Sequence, residues 1–181
     1  MARVPEITTR DGVPEDKREL FDAITESRGQ ITGPFGVLLN SPEIAGRAAH
    51  LGAYIRFEST LAPADRELGI ITTAREFDCD YEWSAHEGMA RQAGVREEAI
   101  DVVANRGAVD SLTEEEATII RYGRELFGDH RVSDATFESA RARLGDQGVT
   151  EMTAAMGYYG MLACALNALE VEPAPGTPRL P

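Results

Sequence analysis

The sequence predicts an all-α protein, a single-domain helical bundle. Apolar residues recur at spacings of three and four along most of the chain, and alternating β-branched runs are few. A length of 181 residues, 43% of them hydrophobic and 27% charged, suits one domain with a real core. We divide the chain into an N-terminal arm (1–13), a helical domain (14–171) and a proline-rich C-terminal arm (172–181).

Capping residues, prolines and glycines predict where the first helices begin and end. Pro14, followed by acidic residues, predicts a helix that ends near Gly29. The segment 33–36 contains two glycines and a proline and predicts a loop. Ser41 before Pro42 predicts the start of a second helix, which runs to about residue 59. The residues expected on its buried face are Ile44, Ala48, Leu51 and Ile55.

The remainder of the domain continues the helical pattern. A link of only three residues, 77–79, joins two predicted helices and should make them an antiparallel pair. The final helix is apolar, but Gly157, Gly160 and Asn167 interrupt it, so we expect a core or interface helix and not a membrane span. The predicted helices from residue 63 onward are 63–76, 80–93, 96–104, 113–127, 134–144 and 149–170.

Charge and composition exclude several functions. The net charge of −13 repels nucleic acid and anionic membranes, so we expect neither as a partner. A small anionic substrate would need a local cationic pocket. Two cysteines and no apolar leader predict a cytoplasmic protein without disulfides. The three histidines lack metal-ligand spacing and no glycine-rich phosphate loop occurs, so we expect no metal and no cofactor.

One helix face carries the groups with chemical potential. On the helix predicted over 80–93, Cys79, Glu82, Trp83 and His86 fall within an arc of about 100°, with Tyr81 nearly opposite. A partly buried carboxylate and imidazole four residues apart suit acid–base work. From spacing alone, an ordinary i,i+4 pair beside a core tryptophan is the simpler interpretation.

The two cysteines are expected to be inert on the same evidence. Asp78 and Asp80 flank Cys79, and both oppose formation of a thiolate. Cys164 lies among alanines and leucine and is expected in the core.

A family resemblance favours the functional interpretation of this helix face over the structural one. Glu67 followed by Cys79-Asp-Tyr81-Glu82-Trp83-Ser-Ala-His86 resembles the carboxymuconolactone decarboxylase and alkylhydroperoxidase D-like superfamily. The stretches Leu-Asn-Ser-Pro-Glu-Ile, ending at Ile44, and Arg-Glu-Leu-Gly-Ile, ending at Ile70, are also similar, so the resemblance covers roughly residues 35–105. It implies the alkylhydroperoxidase D-like helical fold, and subunits that form a homotrimer or homohexamer.

The superfamily has a peroxidase branch and a decarboxylase branch, and the motif indicates which one this sequence resembles more. In the peroxidase branch, a glutamate precedes a Cys-x-x-Cys-x-x-x-His motif, and the second cysteine attacks the peroxide. Glu67, Cys79 and His86 match that pattern, but Glu82 replaces the second cysteine. A dithiol cycle is therefore not available, and Tyr81-Glu82-Trp83 looks like the decarboxylase branch instead.

The implied activity is cofactor-free decarboxylation of a small carboxylated lactone or keto acid in aromatic catabolism. Glu82 and His86 would transfer protons and Glu67 would orient or relay, with Cys79 completing the candidate set. Tyr81 and Trp83 would contact the substrate. Arg56 and Arg75 are candidates to bind its carboxylate. The alternatives are a one-cysteine peroxidase that uses Cys79, or a non-catalytic ligand-binding subunit of an assembly.

Overall fold

The computed structural model describes residues 2–181 as helices joined by short links, with no strand among these residues. Two short 3-10 turns precede the first α-helix. The all-α prediction is confirmed. The α-helices are α1 (Arg18–Arg28), α2 (Pro34–Leu38), α3 (Pro42–Phe57), α4 (Pro63–Glu76), α5 (Asp80–Ala93), α6 (Glu97–Ala104), α7 (Glu114–Gly128) and α8 (Asp134–Ala168).

Local signals account for most helix ends. Gly94 adopts a left-handed conformation after α5, with φ of 96°, and its N–H caps the helix. Thr113 and Glu116 form a reciprocal capping box at the start of α7. One prediction was incomplete, because the expected loop at 33–36 contains the short helix α2. The last two predicted helices are confirmed as two helical stretches of α8, which meet at Gly145, a non-helical residue with φ of 70°.

Helix α4 is the centre of the bundle. It packs against α5, α6, α7 and α8, and every residue from Glu67 to Ala74 is buried. Such a helix, surrounded on all sides, can hold a polar side chain only if that side chain finds partners or faces a cavity. Glu67 is the acidic residue placed in this position.

The buried face of α3 was predicted only in part, since Ala48 and Ile55 are buried as expected. Ile44 and Leu51 are 52% and 44% exposed, and the buried residues are Ala45, Ala48, Ala49, Gly52 and Ile55. Both stripes have helical spacing, but neighbouring elements approach so closely that only small residues fit between them. A methyl group on Gly52, for example, would overlap the side chain of Tyr158. Cys164 was also misplaced, since it lies on the exposed side of α8.

Both terminal arms lie along the helices of the same chain. The Arg3 N–H donates to the Leu169 carbonyl at 2.8 Å, and the Ile7 N–H donates to the Gly36 carbonyl at 2.8 Å. At the other end, the Leu180 N–H donates to Asp80 at 3.0 Å. Within residues 2–181, no helix combines the length and the apolar character needed to cross a membrane.

Candidate active site

Helices α4 and α5 form the predicted antiparallel pair. Asp78 makes the reversal possible by adopting a positive φ of 46°, which aspartate tolerates better than most residues. Its carboxylate accepts from Arg75 at 2.5 Å. Arg75 therefore stabilises the link. This pairing places Glu67 beside the second turn of α5, where His86 lies.

Three buried polar side chains meet between the two helices: Glu67, His86 and Glu82, which we call the relay. His86 Nδ1 and Glu67 Oε2 lie 2.8 Å apart, within hydrogen-bond distance. His86 Nε2 and Glu82 Oε2 lie 3.7 Å apart, beyond a hydrogen bond. The antiparallel pairing predicted from the three-residue link therefore brings Glu67 and His86 together.

The two carboxyl groups of the relay have opposite character. Burial raises the pKa of Glu67, but the hydrogen bond and charge of His86 outweigh burial, so this pKa is lowered. For Glu82, burial also raises the pKa, and the charges of His86, Arg56 and Arg28 do not cancel the effect. An ionised Glu67 fixes the Nδ1 proton of His86, and the Nε2 atom then faces a carboxyl group that favours its protonated form.

Glu82 and His86 open onto a cavity of about 210 Å³. Exposed residues at its rim, Gln30, Thr32 and Ala85, connect it to solvent. The volume is below the roughly 300–1,000 Å³ typical of pockets for drug-sized ligands, so the cavity suits a small metabolite. The lining is completed by Arg28, Pro34, Phe35, Arg56, Tyr81, Met89, Tyr158, Tyr159 and Leu162.

Arg28 and Arg56 give the cavity a cationic character within an acidic protein. Arginines elsewhere in the chain are mostly paired with carboxylates, as Arg143 is with Asp65. Neither Arg28 nor Arg56 has such a partner among the described residues. The Arg28 guanidinium lies 4.1 Å from the centre of the Phe35 ring, which fixes its position.

Two buried oxygen atoms in the cavity wall also lack partners. They are Oε1 of Glu82 and the hydroxyl of Tyr158. Within residues 2–181, these are the only buried side-chain oxygens that lack a hydrogen bond. Buried polar groups are normally satisfied, so an unpaired oxygen in a cavity wall is available to bond a ligand or a water molecule.

The structure brings together some of the predicted site residues and separates others. The residues that line the cavity are Glu82, His86, Arg56 and Tyr81. Glu67 lies outside the lining and is hydrogen-bonded to His86. Tyr81 lines the cavity despite its position on the helical wheel, because the segment before α2 covers that side of α5 and brings Gly33 against the Tyr81 ring.

The other three predicted residues lie outside the cavity lining. Trp83 packs in the main core, and Arg75 pairs with Asp78. Cys79 is fully buried in a small apolar cluster with residues of α2 and α8. Burial raises the pKa of its thiol to about 11. These placements correct the expectation that all four residues on one face of α5 share one site.

Sequence reasoning missed Arg28, Tyr158 and Tyr159. Arg28 is the last residue of α1, and the two tyrosines lie on α8, so neither helix carries a local signal that connects it to α5. The Tyr-Tyr pair within an apolar helix was the available hint, since a buried tyrosine hydroxyl needs a partner or a cavity.

Comparison with known proteins gives one family match. Residues 42–125 match the carboxymuconolactone decarboxylase family, a stretch that includes Arg56 and the whole relay. The superfamily resemblance is confirmed. No curated protein matches the chain.

Solved structures support the same fold at low sequence identity. An alkylhydroperoxidase core, an uncharacterised peroxidase-related protein from Ralstonia eutropha JMP134, has a TM-score of 0.77 and 18% identity, covering 96% of this chain and 93% of that one. A peroxidase-related protein from Silicibacter sp. TM1040 gives 0.74 and 16%, covering 96% and 92%. A protein of unknown function from Agrobacterium tumefaciens gives 0.66 and 16%, covering 79% and 99%. The chain therefore has the alkylhydroperoxidase D-like fold.

Proposed function

We propose that this protein is a cofactor-free acid–base enzyme that acts on a small carboxylated lactone or keto acid, with decarboxylation as its reaction. The observation that carries the proposal is Glu82, a buried carboxyl group with a raised pKa, 3.7 Å from His86 in a cavity that reaches solvent. A carboxyl group with a raised pKa holds its proton to higher pH than an ordinary glutamate and is suited to act as a general acid.

The proposed reaction needs no group beyond the chain and its substrate. The bond between a substrate carbon and its carboxylate breaks, CO₂ leaves, and the electron pair moves into the unsaturated carbonyl to form an enolate. Glu82 gives its proton to carbon. It is reprotonated when the 3.7 Å separation from His86 Nε2 closes to hydrogen-bond distance and His86 passes on a proton taken from water. Glu67 holds the His86 ring in one tautomer. Arg56 binds the substrate carboxylate, and the Tyr81 ring contacts the substrate.

A peroxidase that uses Cys79 is the second candidate, and it is favoured by the two peroxidase-related structural neighbours. Against it, the thiolate is the reactive form of cysteine, and Cys79 is buried away from the cavity with a pKa near 11. A non-catalytic binding role would be favoured by a relay sealed in a dry core, whereas this cavity has exposed residues at its rim.

The test compares Glu82→Gln with Cys79→Ser on carboxylated lactones and on hydrogen peroxide, with circular dichroism to confirm folding. We expect Glu82→Gln to lower the rate on lactones by about 100-fold or more, the scale of general acid catalysis, and Cys79→Ser to change it little. The opposite order, measured on peroxide, would establish the peroxidase. Small, equal effects in both assays would leave a binding role.

We also propose that the protein assembles as a homotrimer or homohexamer. Large apolar side chains are exposed along α3, including Phe57 at 65% and Ile44 at 52%, and Met161 on α8 is 42% exposed. Several large apolar side chains exposed on two helices would be a liability on a lone subunit, and they favour burial in an interface. Light scattering at micromolar concentration should give a mass three or six times that of the 19.7 kDa chain, and a stable monomer would contradict the proposal.

A further inference from the structure

The proposed reaction moves negative charge within the substrate, and this raises the question of which protein group receives it. The charge begins on the carboxylate and ends on the carbonyl oxygen that becomes the enolate. An arginine that binds only the carboxylate stabilises the bound substrate at least as much as the transition state, so it does not lower the barrier. A hydrogen-bond donor at the carbonyl oxygen stabilises the transition state selectively.

Tyr158 is placed to be such a donor. It is 5% exposed and lines the cavity, and its hydroxyl has no acceptor for its proton, although the nearby Arg28 guanidinium can donate to its oxygen. Its ring packs edge-on against Tyr159 at a centroid distance of 5.3 Å, and Tyr159 packs edge-on against His86 at 4.9 Å. Tyr158 is therefore held by the same aromatic group that contacts the relay.

Arg28 lies beside the same hydroxyl. A methyl group on Gly52 would overlap both the Tyr158 hydroxyl and the Arg28 guanidinium, so α3 carries a glycine where these two groups approach its backbone. Burial raises the pKa of the Tyr158 hydroxyl to about 12, so this group stays a proton-bearing donor at neutral pH. Arg28 adds a positive charge that no carboxylate of the described chain neutralises.

We propose that Tyr158 and Arg28 form an oxyanion site, in which the Tyr158 hydroxyl and the Arg28 guanidinium bind the substrate oxygen that gains negative charge. Tyr158 is then a catalytic residue, on a different helix from Glu82. The inference rests on the proposed acid–base function. It requires a substrate whose carbonyl oxygen takes up the electron pair of the breaking bond, because a carboxylate alone has no oxygen for this site.

The kinetic test uses Tyr158→Phe, with Tyr122→Phe as a matched control. Tyr122 is a buried tyrosine outside the cavity lining, and its hydroxyl lies 2.7 Å from Thr153. Tyr158→Phe should lower kcat on carboxylated lactones by roughly 100-fold, the usual loss for one oxyanion donor, with little change in thermal stability. Tyr122→Phe should lose stability and keep kcat. Unchanged kcat in folded Tyr158→Phe would overturn the assignment.

A binding test separates this inference from the proposed reaction. The deprotonated form of 3-nitropropionate carries a carboxylate and a planar nitronate that resembles an enolate, whereas butanoate carries the carboxylate alone. Calorimetry should show the native protein binding the nitronate at least ~10-fold more tightly, as for transition-state analogues. Tyr158→Phe and Arg28→Gln should remove that preference, and Tyr122→Phe should keep it.

The outcomes are distinguishable. Equal binding of the two probes by the native protein, or a preference that survives Tyr158→Phe, would overturn the oxyanion site. If the preference depends on Tyr158 and Arg28 but no carboxylated lactone is turned over, the oxyanion site stands and decarboxylation as the reaction fails.

Discussion

Two buried glutamates, Glu82 and Glu151, lie in different environments. Glu82 on α5 is 3% exposed, and its Oε1 atom has no partner. Glu151 on α8 is 7% exposed and accepts hydrogen bonds from the Tyr54 hydroxyl at 2.7 Å, from the Thr60 N–H at 2.7 Å, from the Thr60 hydroxyl at 2.6 Å and from Gln147 at 3.0 Å. Little of either side chain is exposed, but Glu82 is enclosed much more deeply by the protein than Glu151, and Glu151 also has many more hydrogen-bond donors.

The differences in donors and in depth of burial shift the pKa values of the two carboxyl groups in opposite directions. Burial raises the pKa of both carboxyl groups. For Glu151, the donors outweigh burial and lower the pKa to about 2, so the group is a stable anion that joins α3 and α8. Glu82 has no comparable donors, and its pKa stays raised. The first arrangement stabilises the fold, and the second keeps a proton available, as acid–base chemistry requires.

The largest effect on stability is expected from Glu151→Ala. The change leaves the donors on Tyr54, Thr60 and Gln147 without their acceptor, which should lower the free energy of unfolding by about 3 kcal/mol. Denaturant titration measures the loss. Activity per folded molecule should be retained, because Glu151 lies outside the catalytic cavity. A variant as stable as the native protein would show that these hydrogen bonds contribute nothing net.

The lowered pKa of Glu151 should also be visible in how the free energy of unfolding depends on pH. Its folded pKa, about 2, is below the unfolded value near 4.3, so its contribution is fully present above pH 4.3 and is lost as the pH falls towards 2. The gap in unfolding free energy between the native protein and Glu151→Gln should therefore narrow over that range. A gap that is constant between pH 6 and pH 3 would contradict the lowered pKa.

The sequence predicted the fold and the relay much better than the rest of the cavity. The closeness of Glu67 and His86 could be predicted because a three-residue link forces α4 and α5 together. Helical spacing then places Glu82 one turn before His86. Arg28 and Tyr158 come from distant helices, and no local pattern specifies how α1 and α8 pack against α5.

The wrong predictions share a cause. On α3, two stripes of apolar residues have the same period, and the choice between them depended on the close approach of α1 and α8, which favoured the small residues. Cys79 was grouped with Glu82 by the helical wheel, but the positions of α2 and α8 decide which part of that face meets the cavity.

The smallest predicted effect is a gain in stability on replacing Glu82. Because the folded pKa of Glu82 is raised, the folded state favours the protonated form, and the carboxyl group destabilises the fold increasingly as the pH rises above its unfolded value near 4.3. Glutamine has the same shape and cannot ionise, so Glu82→Gln should be more stable than the native protein by about 1 kcal/mol at pH 8, in the range seen when functional strain is removed. At pH 4, where native Glu82 is protonated, the difference should nearly vanish. Thermal melts at both pH values measure it, with Glu151→Gln as the control that loses stability at pH 8. If Glu82→Gln is destabilised at pH 8 as Glu151→Gln is, then Glu82 is a structural anion, and its assignment as the general acid fails.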